Sequence, residues 1–132
     1  MTPKQYKSLA RYIHSISKEF GLNDWDLRLH TEPPDDETAL AAVETVYGRR
    51  IAHIHVCADF DHYEPEAQRI AVIHELTHIH EAQVIDLIAS TLPDARGKQA
   101  FAMFNAGWRQ AMEHSTDAIA TAIADKYPLW EG

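Results

Sequence analysis

His74-Glu75-Leu76-Thr77-His78 is the stretch on which the reading of this chain turns, because H-E-x-x-H on a helix puts two imidazoles one turn apart with a carboxylate beside them. Residues at i and i+4 of a helix have Cβ atoms roughly 5–6 Å apart. That spacing lets two ring nitrogens close on one Zn²⁺ at about 2.0–2.1 Å each. Glu75 lies about 100° round the helix from His74 and about 60° from His78, off the axis joining the rings yet within reach of a metal-bound water. The pattern predicts the geometry of a zinc hydrolase. With 9 His in 132 residues, a shuffled chain carries it in roughly one case in twenty, so it needs support elsewhere.

That support lies downstream, in Glu113-His114-Ser115-Thr116-Asp117, an E-x-x-x-D on what also reads as a helix. A catalytic zinc takes three protein ligands and leaves a fourth position for water. His74 and His78 supply two, and the acid-bearing face of the later helix can supply Glu113 as the third. Asp117, one turn on, is placed to accept a hydrogen bond from the free ring nitrogen of a ligand histidine, fixing its tautomer and ring angle. Glu75 is then the general base that takes a proton from the attacking water and delivers it to the leaving amine. Glu81, one turn below His78, is a weaker rival to Glu113 as third ligand.

Composition narrows the alternatives. A chain of 132 residues, 45% hydrophobic and 24% charged, fits a single domain, residues 1–132, that buries its core without disulfides. The net charge of −8 argues against an electrostatic grip on nucleic acid or on an anionic membrane. Cys57 is the only cysteine, so a zinc knuckle of the cysteine type is excluded. The first residues lead into a polar amphipathic stretch and no run approaches 18 apolar residues, from which a cytoplasmic protein is expected.

Around the motif the elements can be laid out by period. Thr2-Pro3-Lys4-Gln5 combines a cap, a proline at the first helical position and a capping-box Gln, and Gly21 stands where a helix would end, which predicts a helix over 3–20. Trp25, Leu27 and Leu29 alternate with polar residues as in a half-buried strand, and Glu32-Pro33-Pro34-Asp35-Asp36 breaks into a loop. Residues 38–47 and 50–58 flank Gly48 and read as a hairpin. The period then changes: a second helix starts near Asp61 or Glu64 and stops at Leu92-Pro93, and a third spans roughly 98–126. On the third, Phe101, Phe104, Trp108, Met112 and Ile119 share one face, and Phe101, Phe104 and Trp108 are expected in the core. Ala106, Glu113, Asp117, Ala120 and Ala124 share another, small enough for a second backbone to approach.

The motif His74-Glu75-Leu76-Thr77-His78, followed by Glu113-x-x-x-Asp117, resembles the gluzincin metallopeptidases. The segment from Glu113 to Ala120, with Pro128 soon after, is similar to the second motif of the small ImmA/IrrE-like peptidases. The resemblance covers about 65 residues and implies an α+β, zincin-like fold: an N-terminal helix, a small, mainly antiparallel three-stranded sheet, an active-site helix and a glutamate-bearing helix. It also implies zinc as the cofactor and a peptide or protein as the substrate. Thr77 stands where the ImmA/IrrE type often has glycine. Tyr63, Tyr127 and His114 are the candidates to steady an oxyanion. Two other readings share the zinc: hydrolysis of a non-peptide amide, and a non-catalytic interaction domain whose metal is closed by a fourth ligand.

Four other residues take the plainer reading. His80 projects about 120° or more from the motif histidines and reads as a surface residue. His53 and His55, at i and i+2, read as a polar sheet face, or else as a strand bordering the cleft along which a peptide could pair. Cys57 reads as a small buried hydrophobe.

Overall fold

A computed structural model describes residues 1–132, the side chains of residues 94–96 excepted. Thr2 opens the chain's first helix, α1 (Pro3–Glu19), with the expected reciprocal cap: its hydroxyl accepts the Gln5 N–H at 3.3 Å, and Gln5 Oε1 accepts the Thr2 N–H at 2.8 Å. Leu9, Ile13 and Ile16 form its buried stripe. Gly21, at φ 79°, lets the chain leave in a left-handed conformation that a side chain would strain.

Three strands follow, β1 (Asp26–Leu29), β2 (Ala41–Thr45) and β3 (Ile51–Val56), in spatial order β1-β3-β2. The sheet is mixed, which corrects the expectation of a mainly antiparallel one: β2 and β3 pair antiparallel, but β1 and β3 pair parallel, Leu27 against Ala52 and Leu29 against Ile54. The cause is the Pro33-Pro34 segment. It carries the chain past the neighbouring position to the far edge, and the tight turn at Gly48 (φ 67°) then returns β3 into the gap. β3 is therefore central and β2 an edge strand.

A 3₁₀ turn (Phe60–His62) leads into α2 (Pro65–Arg96), and α3 (Lys98–Ile123) ends in a second such turn (Ala124–Lys126). α2 does not stop at Leu92-Pro93 as expected. Pro93 lies inside it, one backbone bond is forgone, and the helix ends where the N–H of Gly97 bonds the Pro93 carbonyl at 3.1 Å. No helix among the described residues is long and apolar enough to cross a membrane.

The core lies between α1, α2 and one face of the sheet. Leu9, Ile13 and Ile16 meet Ala52, Ile54 and Val56 of β3 and Val72, Leu76 and Ile79 of α2, with Phe60 beneath. A smaller cluster of Ile73, Ala120 and Ala124 joins α3 to α2. Of the expected small face, Ala120 and Ala124 make the close approach, whereas Ala106 is exposed. The aromatic face of α3 is not core: Phe101 and Trp108 are half-buried, and Phe104 and Ile119 are largely exposed. α3 packs chiefly on α2, so its aromatic face has no sheet to cover it.

Leu76 has no exposed surface and sits between the two motif histidines, so Leu76→Ala should lower stability by about 2–5 kcal/mol. Urea denaturation reads this directly, and a loss under about 1 kcal/mol would contradict the packing described.

Candidate metal centre

The third to fourth turns of α2 bury Val72, Ile73, Leu76 and Ile79 on two sides. The i, i+4 spacing then forces His74 and His78 together at the boundary between sheet and α3. Their rings meet edge to face with centroids 4.6 Å apart, and their Nε2 atoms lie 2.9 Å from each other. Thr77 points the other way and donates to the Ile73 carbonyl at 2.8 Å from a buried position.

The outer nitrogens of both rings are spoken for. His74 Nδ1 lies 2.9 Å from Asp117 Oδ1, and His78 Nδ1 lies 3.1 Å from Glu81 Oε2. An ionised carboxylate only accepts, so each Nδ1 carries a proton and donates it. In the neutral rings both Nε2 atoms then present lone pairs to each other. Glu113 joins them, with Oε2 at 3.4 Å from His74 Nε2 and Oε1 at 3.4 Å from His78 Nε2. Two donors on a tetrahedral ion at about 2.0–2.1 Å stand about 3.3–3.4 Å apart, so the cluster is close to the size that a cation requires. His74, His78 and Glu113 are near enough to one another, within 4.8 Å, to hold a metal ion.

Asp117 thus stands against the Nδ1 of His74. Glu81 does not act as a rival ligand, because it faces Nδ1 of His78, on the side of the ring away from the cluster. It meets His78 Nδ1 as Asp117 meets His74 Nδ1, a contact the sequence reading missed. Thr116, fully buried on α3, has its hydroxyl 3.1 Å from Glu81 Oε1 and 2.9 Å from the Met112 carbonyl, either of which can accept its single proton.

Glu75 is nearly buried, 7% exposed. Burial pushes its carboxyl up to about 7; the facing His78 opposes this, the negative charge of Glu113 reinforces it, and the Val43 backbone N–H opposes it. Val43 is on edge strand β2. The N–H of Val46 bonds the Ile51 carbonyl and that of Cys57 the Leu40 carbonyl, so in the antiparallel alternation Ala41, Val43 and Thr45 turn their backbone groups to the open edge. The carboxylate of Glu75 therefore stands at the rim of that edge.

From His78 and Glu113 a groove of about 360 Å³ runs away along α2. Val43 and Thr45 form one wall, Ala82 and Ile85 the floor, and Trp108 and Met112 the other wall. Asn105 and Arg109 add donors. They precede Glu113 and Asp117 at four-residue steps on α3, a row the sequence displays and the sequence reading did not use. None of Tyr63, Tyr127 and His114 lines this groove. Tyr127 packs against Phe20 instead. His80 lies outside the centre, its Nε2 2.8 Å from the Phe20 carbonyl, which ties α2 to the end of α1. β3 is central, so His53 and His55 border no open edge, and it is β2 that flanks the cleft. Cys57 is half-buried and its thiol is pushed up to about 11, chiefly by burial.

Comparison of the chain with protein-family models, with curated proteins and with solved structures finds no match.

Removing an orienting carboxylate should weaken zinc binding by about 10–100-fold. Glu81→Ala and Asp117→Ala are therefore expected to fall in that range in a competition titration against a chromophoric chelator, with Glu113→Ala weaker than either. A larger loss for Asp117→Ala than for Glu113→Ala would make Asp117 the ligand.

Proposed function

We propose that the protein is a zinc-dependent peptidase of gluzincin-like type, with His74, His78 and Glu113 as ligands and Glu75 as general base. One observation carries the reading: two histidine Nε2 atoms and a carboxylate converge on a point beside a nearly buried glutamate, at the mouth of a groove. Bound there, zinc would polarise the scissile carbonyl and acidify the attacking water. Every other part of the reaction falls to the chain. Asp117 and Glu81 hold the imidazoles in the tautomer that ligates. Glu75 takes the proton from the water and returns it to the leaving amine.

The open edge of β2 supports a peptide in preference to another amide, since an extended chain can add main-chain hydrogen bonds there and present a carbonyl to Glu75. An open rather than a closed site is supported by the ligand set: three residues among those described form the cluster, and Glu81, the nearest further acid, is engaged with the far side of His78. A closed four-ligand structural zinc would need a further donor beyond these three.

Glu75→Gln tests this reading. The zinc-loaded wild type should cleave within a mixed peptide library, and the variant should keep its metal while losing about 10²–10⁴-fold in rate. An inactive wild type, an active variant, or a variant stripped of zinc would each refute the assignment.

A further inference from the structure

The face of the sheet turned away from the helices carries three imidazoles. His53 and His55 alternate with core residues Ala52, Ile54 and Val56 along β3. The parallel ladder continues past Leu29, with the His30 N–H on the Ile54 carbonyl at 2.9 Å, so His30 stands beside His55 and diagonal to His53. The His30 ring stacks on that of His55 (centroids 4.9 Å, 12°), and its Nε2 lies 2.7 Å from His53 Nδ1.

We propose that His30, His53 and His55 form a second metal site, independent of the first, that takes a divalent transition ion of the kind imidazole selects. That class comprises zinc, copper and nickel, for which neutral ring nitrogens are preferred donors. A contact of 2.7 Å between two ring nitrogens requires a proton between them. A tetrahedral ion in its place sets them about 3.3–3.4 Å apart, a separation that small side-chain rotations supply. His55 is already in a ligating tautomer: its Nδ1, 3.0 Å from the Glu32 carbonyl, can only donate there, which leaves Nε2 with the lone pair. Among the described residues only His74, His78 and Glu113 already lie within 4.8 Å of one another, so completing this set takes a turn of the half-buried His55 ring that releases the Glu32 carbonyl.

The surrounding charge favours a cation. Glu32 places a carboxylate oxygen 3.9 Å from His30 Nδ1, and Glu44 stands opposite His53 on the same face. Arg28, the cation in register with His53, is held by Asp26 through bonds of 3.0 and 2.6 Å. A metal here would link β1 to β3, the parallel pair that no hairpin connects.

The test is calorimetric titration of the full-length protein with Zn²⁺ alone. His78→Ala disables the first centre, and the proposal expects that variant to bind one equivalent with a dissociation constant below about 10 μM. Adding His30→Gln should abolish this equivalent, and so should adding His55→Asn. His30→Gln by itself should leave the first centre's equivalent in place, which shows that the fold survives the change. Saturation of His78→Ala only above that concentration, or an equivalent that persists in both double variants, would overturn the second site.

Discussion

Two ring nitrogens 2.9 Å apart, as His74 Nε2 and His78 Nε2 are, require a cation between them, a shared proton or a metal ion, and the candidate centre is organised around that constraint. Asp117 and Glu81 each accept the N–H of an Nδ1, which in a neutral ring leaves Nε2 with the lone pair. What remains is a pair of bases and the carboxylate of Glu113, a donor set close enough together to hold a metal ion. The orienting acids come from different elements, Asp117 from α3 and Glu81 from α2. The centre therefore forms only when the two helices are docked.

Docking is set by small residues. Ala120 and Ala124 close on Ile73 with almost no exposed surface, which brings the backbone of α3 near enough for Glu113 to reach both rings. The opposite side of α2 is fixed by Leu76 and Ile79 against the sheet. Successive residues of one motif thus do unrelated work: His74 and His78 face the cluster, Leu76 fills the core, Thr77 bonds back to its own helix, and Glu75 reaches the rim of β2. Because α3 packs chiefly on α2, its aromatic face lines a groove instead of a core.

Much of this was legible in the sequence where the determining contacts are local. The capping box at Thr2 and Gln5, the HExxH turn and the acidic row of α3 depend on spacings of three and four residues, and each appears as read. The parallel pairing of β1 with β3 was not legible, because it depends on where the Pro33-Pro34 crossing lands and not on any pattern within the strands. Glu81 was visible as a nearby acid but its role was not, since which ring nitrogen it meets is decided by side-chain torsions. Phe101 and Trp108 show the limit of apolar periodicity: the stripe is real, but only the fold determines whether anything covers it.

The account depends most on the tautomers of His74 and His78 and on what their Nε2 atoms hold. Long-range ¹H–¹⁵N correlation spectra of the histidine rings in the zinc-loaded protein report both at once. Protonated Nδ1 and metal-shifted Nε2 on both residues is the result expected. A ring of either residue protonated at Nε2, or unchanged on adding zinc, would contradict it.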